Sequence, residues 1–192
     1  MITGIILASG FSRRMDKEKL LLGINGVPIL EHVLKSIISS KIDEVILIYR
    51  KNEIKDIGKK YGITTIYNGF AEKGQSESIK LGIFSAKEET DGFMFFVGDQ
   101  PYLNTETVNN LINMFNSRKY EIVVPSYNGK RGTPTIFSSI FKEELLNIEG
   151  DKGGRNIIKR NLDKVGVLNI DEELIGMDID TIEEYISLTK WS

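Results

Sequence analysis

The chain has 192 residues, of which 41% are hydrophobic and 27% are charged, and its formal net charge is −2. These values predict a single globular domain without an extended nucleic-acid surface; no apolar run reaches the ~18 residues of a membrane helix, so we expect a cytoplasmic protein. The absence of cysteine and the presence of one histidine exclude disulfides, thiolate sites and multi-histidine metal sites, so that a catalytic metal would need oxygen ligands, which favours Mg²⁺.

Apolar runs of strand type alternate with amphipathic helical segments along most of the chain. Strands are predicted over 2–7, 44–49, 64–67, 93–97 and 121–125, and helices over 28–40, 53–61, 76–87 and 105–116. The predicted helical faces include Ile38 and Phe84, and His32 falls outside them as an exposed structural residue. The run 93–97 is the most apolar and is placed near the sheet centre. This order predicts a three-layer α/β/α fold with a mostly parallel twisted sheet.

The pattern changes after Pro125, where Asn128-Gly129 signals a turn. The remaining predicted elements are a strand over 135–137, a helix over 138–147, a glycine-rich loop over 150–155 leading into a helix, a strand over 165–170 and a helix over 181–189. We therefore expect one domain over residues 1–192, with a flap inserted at about residues 126–163.

The first predicted strand ends in a segment suited to a polyphosphate. Leu7-Ala8-Ser9-Gly10 is followed by Arg14 and Lys19. Small residues let backbone N–H groups approach an anion closely, and the cations supply opposing charge. The spacing matches neither a Walker-type loop nor Gly-x-Gly-x-x-Gly, and a turn with solvated charges would look the same in isolation.

Carboxylates follow two other predicted elements. Asp99 comes just after the predicted central strand, at the edge where open α/β sheets bind ligands, and could hold Mg²⁺ bridging a polyphosphate. Asp178 and Asp180 precede the last helix; we expect one carboxylate to face the site while the other caps the helix. Turn formation and helix capping alone remain alternatives for these residues.

Polar residues at two further loops could contact substrates. Gly74, Ser76 and Ser78 begin a helix, where hydroxyls and N–H groups could bind a nucleotide or simply cap the helix. In the predicted flap, the segments 129–134 and 151–155 combine flexible backbone with cations, which suits an anionic second substrate; solvated loops are the alternative.

Taken together, these segments resemble the molybdenum cofactor nucleotidyltransferase family, within the glycosyltransferase-A-like nucleotidyltransferases. The family's opening Leu-Ala-(Ala or Gly)-Gly-x-Ser-x-Arg-Met-Gly-x-x-Lys-Leu corresponds to residues 7–20, its Gly-x-Ser-x-Ser to 74–78 and its Asp-x-Pro to 99–101. Its Gly-x-x-Gly-x-Pro, Gly-Asp-x-Gly-x-Arg and Asp-Ile-Asp-Thr-x-Glu-Glu correspond to 129–134, 150–155 and 178–184. The chain departs from the family at Ser9, at Asp16 in place of glycine and at Thr133 in place of the usual histidine.

The resemblance implies transfer of a nucleoside monophosphate from a nucleoside triphosphate to the phosphate of a molybdopterin-type acceptor, with Mg²⁺ as cofactor and release of pyrophosphate. The cytidylyl branch of the family is the more similar one, so CTP is preferred, with ATP and GTP left open. A molybdenum hydroxylase would receive the product, and no nucleic acid or membrane partner is expected. A sugar, polyol or other alcohol phosphate as acceptor, and a non-catalytic accessory protein that binds the finished cofactor, remain alternatives.

The resemblance also implies a role for each matched residue. The implied catalytic residues are Arg14, Lys19 and Asp99, and the implied metal ligands are Asp99 and Asp180. The implied nucleotide-binding residues are Leu7, Ala8, Ser9, Gly10, Arg14, Lys19, Gly74, Ser76 and Ser78. The implied acceptor-binding residues are Gly132, Thr133, Pro134, Asp151 and Arg155.

Overall fold

An eight-stranded sheet forms the middle layer of the computed structural model, which describes residues 1–11, 15 and 18–189. The strands are β1 (Ile2–Ala8), β2 (Gly23–Ile24), β3 (Val27–Pro28), β4 (Glu44–Tyr49), β5 (Thr64–Tyr67), β6 (Gly92–Val97), β7 (Ile122–Tyr127), β8 (Lys130–Arg131), β9 (Thr135–Ser138) and β10 (Val165–Ile170). The sheet order is β10-β7-β9-β6-β1-β4-β5, with β8 paired to β7, and the predicted central position of the run 93–97 is confirmed.

Helices cover both faces of this sheet. They are α1 (Ile29–Ile38), α2 (Asn52–Lys60), α3 (Gln75–Ser85), α4 (Thr105–Asn116), α5 (Lys142–Leu146), α6 (Arg155–Arg160) and α7 (Ile182–Thr189). Consecutive side chains of β1 lie on opposite faces of the sheet, because side chains alternate along a strand. Ile6 belongs to the hydrophobic core formed with α1 and α4, and Ile5 belongs to the core formed with α3 and α5. The predicted three-layer α/β/α architecture is therefore confirmed. Within the described residues, no helix is both long and apolar enough to cross a membrane.

The strand directions bring the carboxyl ends of most strands to one edge. β1 pairs in parallel with β4 and β6, β4 pairs in parallel with β5, and β7 pairs in parallel with β10. Only β8 and β9 run the other way among the strands of this sheet. Since β9 lies between β6 and β7, part of the segment 126–163 that we expected as an inserted flap is integral to the main sheet.

Several local expectations require correction. Ile38 and Phe84 are 41% and 71% exposed, so they lie at the solvent side of their helices rather than on the buried faces. His32 is half-buried and its Nε2 donates to the carbonyl oxygen of Ile24 at 3.1 Å, a structural role. The short hairpin of β2 and β3 was not expected, although its turn, Asn25-Gly26, has the positive φ values (51° and 77°) that Asn-Gly hairpins adopt.

Candidate active site

Three charged side chains meet at the carboxyl edge of the sheet. Lys19 lies in a short 3₁₀ turn after β1, and the buried Leu20 of the same turn anchors it against the region of Gly98. The Lys19 ammonium contacts Asp99 Oδ2 and donates to Asp180 Oδ1 at 3.0 Å. The sequence-predicted Lys19, Asp99 and Asp180 are thus brought together, whereas Arg14 lies outside the described residues.

The Lys19 side chain stays charged in this setting. Burial by itself would lower the pKa of its ammonium, but the neighbouring carboxylates of Asp99 and Asp180 outweigh burial and raise the pKa above its ordinary value. The side chains of Lys19 and Asp99 are only 16% and 15% exposed, whereas Asp180 is 46% exposed. The single ammonium therefore offsets one of the two negative charges of a carboxylate pair of which one member, Asp99, is largely removed from water.

Asp99 retains one unused coordination position. Its Oδ1 is buried and has no hydrogen-bond partner among the described residues, which is unusual for a buried charged oxygen. Within residues 1–11, 15 and 18–189, no group of three or more His, Asp or Glu side chains forms a complete metal site. An orphaned carboxylate oxygen beside a second carboxylate fits Mg²⁺, which proteins hold through one or two carboxylates plus substrate phosphates.

Asp178 lies close enough to Asp99 and Asp180 for their charges to act on it, and neither it nor Asp180 caps the following helix, as we had expected of one of them. Residues two apart on an extended segment point to the same side, so Asp178 and Asp180 do not divide between the site and the helix cap. Burial, with the charges of Asp99 and Asp180, raises the pKa of Asp178 to about 6. The helix is instead capped by Thr181, whose Oγ1 accepts from Glu184 N at 3.2 Å while Glu184 Oε2 accepts from Thr181 N at 2.9 Å.

A cavity of about 600 Å³, which we call the nucleotide cavity, opens beside these charges. The sequence-predicted residues on its wall are Leu7, Ser9, Gly10, Lys19, Gly74, Ser78, Asp99, Asp151 and Asp180. Two residues that we expected to contact the nucleotide, Ala8 and Ser76, are only 4% and 1% exposed. Among the described residues, neither of the two lines this cavity or the second, adjoining cavity. They lie behind the wall, because the first ends a central strand and the second sits in the buried first turn of α3.

A second cavity of about 900 Å³, which we call the acceptor-side cavity, adjoins the first. The two share Leu7, Gln75, Val97 and Asp151. Gly132, Thr133, Asp151 and Arg155 line it as the sequence predicted, whereas the buried Pro134 does not. Its walls are largely apolar, and the cations on them are Lys130, Arg131, Lys152, Arg155 and Lys159.

The Thr133 side chain is committed to a structural bridge. Its Oγ1 donates to Gln100 Oε1 at 3.0 Å, and Gln100 Nε2 donates to the carbonyl oxygen of Gly176 at 3.1 Å. Burial and the charge of Asp178 raise the pKa of Tyr127, whose protonated OH donates to the carbonyl oxygen of Thr133 at 2.8 Å. Gln100 is 2% exposed, and its place in the Asp-x-Pro segment was the only sequence signal for this bridge.

Two loops join at the boundary of the cavities. Gln75 N donates to Asp151 Oδ1 and Ser76 N donates to the carbonyl oxygen of Gly150, each at 3.0 Å. Gly74 has φ 105°, and a Cβ there would lie 2.5 Å from the carbonyl carbon of Gly150. Glycine is thus required at position 74 both for its backbone conformation and for the close approach of the loops. Asp151 thereby holds the boundary in place.

The sequence and the fold have recognisable relatives. The model of the MobA-like NTP transferase domain matches residues 4–165. Purine catabolism protein PucB of Bacillus subtilis is 31% identical, covering 96% of this chain and 94% of its own length. A probable molybdenum cofactor guanylyltransferase of Thermococcus sibiricus is 24% identical over 84% of this chain and 74% of its own length.

Solved structures show the same fold. The crystal structure of Rv0371c from Mycobacterium tuberculosis H37Rv superposes with a TM-score of 0.88 at 26% identity, over 98% of this chain and 97% of that one. A complex of Rv0371c with manganese superposes with a TM-score of 0.84 at 24% identity, over 100% and 99% of the two chains. With the family match spanning most of the chain, the protein belongs to the MobA-like NTP transferase domain family and is a nucleotidyltransferase.

Proposed function

We propose that the protein transfers CMP from CTP to the terminal phosphate of molybdopterin. An oxygen of the acceptor phosphate bonds to the α-phosphorus, the bond from that phosphorus to the β-bridging oxygen breaks, and pyrophosphate leaves with the electron pair. The observation that carries the proposal is the group of Lys19, Asp99 and Asp180 beside the nucleotide cavity, which shares a wall with a larger, cation-rimmed cavity. Two adjoining cavities suit two substrates, one of which transfers a nucleotidyl group to the other as pyrophosphate leaves.

Asp99 and Asp180 would hold Mg²⁺, and the buried Asp99 Oδ1, which has no hydrogen-bond partner within the described part of the chain, supports this assignment. Bound Mg²⁺ would neutralise charge on the triphosphate and on the leaving pyrophosphate. The relative Rv0371c has been crystallised with manganese, in keeping with use of a divalent cation.

The chain's own residues bind and orient the two anions. Lys19, together with Arg14, would bind the triphosphate, and the backbone N–H groups of Ser9 and Gly10 at the cavity wall would approach it closely. Arg155 and the backbone around Gly132 would receive the acceptor phosphate. Because that phosphate is already anionic at neutral pH, no strong general base is needed, and positioning with charge neutralisation is sufficient.

The choice of CTP rests on the sequence form of this chain. It has Gly-x-Ser-x-Ser over 74–78 and lacks the Leu-Ala-Gly-Gly opening, both of which resemble the cytidylyl branch. Guanylyl transfer is the second candidate, favoured by relatives named probable molybdenum cofactor guanylyltransferase. In either case we propose that a molybdenum hydroxylase receives the product.

The decisive experiment measures pyrophosphate release with Mg²⁺, molybdopterin and each of the four nucleoside triphosphates, followed by mass analysis of the product. CTP is expected to support turnover and to give a product heavier than the acceptor by one cytidylyl group. Turnover with GTP and with none of the other three nucleoside triphosphates would favour guanylyl transfer over cytidylyl transfer. A protein that binds the finished dinucleotide but releases no pyrophosphate would be an accessory protein, and turnover only with sugar or polyol phosphates would change the acceptor.

A further inference from the structure

A buried hydrogen-bonded triad joins three elements behind the nucleotide cavity. Ser9 follows β1, Asn68 follows β5 and Ser78 lies in α3, and they are 5%, 1% and 2% exposed. The two serine hydroxyls are 2.7 Å apart. Asn68 Nδ2 donates to Ser9 Oγ at 3.2 Å and to Ser78 Oγ at 3.0 Å. Neither Asn68 nor the pairing of the serines is part of any motif in the sequence.

The orientation of the Asn68 amide is fixed by the backbone around it. Its Oδ1 accepts from Phe70 N at 2.9 Å, and its own N–H donates to the carbonyl oxygen of Tyr49 at 2.7 Å. Since the oxygen end is bound to a backbone donor, the NH₂ end must face the serines. Both serine oxygens therefore receive a proton from the same amide.

A count of donors in this triad leaves one proton over. The amide has two N–H donors, and both are used. Each hydroxyl has one proton, and the contact between the serines uses only one of the two. The other hydroxyl proton has no acceptor among the described residues. Both serines line the nucleotide cavity, so this donor is available to a ligand or solvent in that cavity.

We propose that the remaining hydroxyl proton is donated to an acceptor atom of the bound nucleotide, and that Asn68 is the residue that positions this donor. The inference rests on the proposed nucleotide site. Asn68 acts through the serines: it donates one N–H to each oxygen, which takes up one acceptor position on each and fixes the pair, so that the remaining hydroxyl proton is held at the cavity wall. Ser9 stands where the family has alanine or glycine, so the donor pair is a feature of this chain.

The proposal makes a non-additive prediction. In Ser9→Ala, the Ser78 hydroxyl no longer has a serine partner and its proton faces the cavity; in Ser78→Ala, the same holds for Ser9. Each single variant therefore keeps one donor in a slightly shifted position, and we expect about a twofold to threefold loss of affinity for CTP. Only the double variant removes the donor, and we expect at least a further tenfold loss beyond the product of the single effects.

The test is calorimetric titration of CTP with Mg²⁺ into the wild type, both single variants and the double variant, with thermal unfolding of each. Ser138→Ala is the control, since Ser138 is another buried serine, at the end of β9 and outside both cavities. Asn68→Ala should raise the KM for CTP while the KM for the acceptor stays the same, as a positioning role requires.

Additive losses in the double variant, or equal changes in both KM values for Asn68→Ala, would overturn the inference and leave the proposed function standing. If the wild type bound none of the four nucleoside triphosphates, the proposed function itself would fail and the inference with it. If the double variant were too unstable to titrate, Ser9→Gly combined with Ser78→Ala would be titrated under the same criterion, since position 9 lies outside the helix and alanine is retained within α3.

Discussion

Replacing Lys19 by methionine should strengthen metal binding in the absence of nucleotide. The ammonium already occupies the position between Asp99 and Asp180, so a divalent cation entering alone must displace it. A triphosphate offers the ammonium a new partner, and metal and nucleotide should therefore bind cooperatively to the wild type. Lys19→Met keeps an unbranched side chain that is one atom shorter and removes the competing charge, so this cooperativity should disappear with it.

The geometry sets the size of the effect. Two unit charges about 4 Å apart interact by roughly 4 kcal/mol at an effective dielectric constant of about 20. Asp99 is 15% exposed but Asp180 is 46% exposed, so water screens the second pair and the net effect is reduced. We expect roughly 1.4–2.7 kcal/mol, or about a tenfold to hundredfold tighter binding of metal alone. Affinity for CTP should fall in the same variant.

Free Mn²⁺, measured by electron paramagnetic resonance during titration, reports the metal affinity with and without CTP. Lys80→Met is a matched control, because Lys80 pairs with Glu77 at 3.1 Å on α3, outside both cavities. An unchanged or weaker Mn²⁺ affinity in Lys19→Met, with the control behaving as the wild type, would refute the reasoning.

Three further outcomes are expected. Asp99→Asn should lower pyrophosphate release at least about a hundredfold while the protein stays folded; wild-type turnover in this variant would exclude Asp99 as a metal ligand. The Lys60 ammonium lowers the pKa of Glu31, so the ionised carboxylate stabilises the fold at pH values above its ordinary pKa, and this stabilisation is lost as the pH falls through the lowered pKa. Glu31→Gln should therefore lower the free energy of urea unfolding by about 1 kcal/mol at pH 7 and leave it unchanged near pH 2. The same difference between variant and wild type at both pH values would contradict this. Gly82→Ala should destabilise by roughly 1–3 kcal/mol, because the new Cβ would lie 2.3 Å from Ile5 Cγ2; unfolding at the wild-type urea midpoint would show that the helix moves to make room.

Local pattern was sufficient for most of the fold. Strands of continuous apolar residues and helices with one buried face end within two residues of their predicted ends, apart from the helix expected over 138–147, which begins as a 3₁₀ turn. The position of β9 between β6 and β7 could not be predicted, since sheet order depends on pairing between distant segments. The exposure of Phe84 also depends on tertiary packing, because the spacing of apolar residues in a helix does not show how wide the buried face is.

The candidate site was predictable where charge follows a central strand. Lys19, Asp99 and Asp180 meet because parallel strands end at a common edge. The partners of Ser78 were not predictable, because Asn68 belongs to no motif and its contact with the serines arises only when β5 is laid beside β4. The expectation that Asp178 and Asp180 point to opposite sides had a simpler fault: side chains one residue apart alternate along an extended segment, whereas side chains two residues apart point to the same side.

The reversed direction of β9 places the hairpin beside the proposed acceptor site apart from the strands that carry the proposed nucleotide site. Because it runs against its neighbours, it enters the sheet at the edge where β6 and β7 leave it, and the hairpin over 127–134 projects from that edge with both ends anchored. Its length and composition can change without altering any strand register on the β1 side. Grafting other hairpins between Tyr127 and Thr135 would test whether this segment selects the proposed acceptor, provided that each graft keeps the contact of Thr133 with Gln100, the neighbour of Asp99.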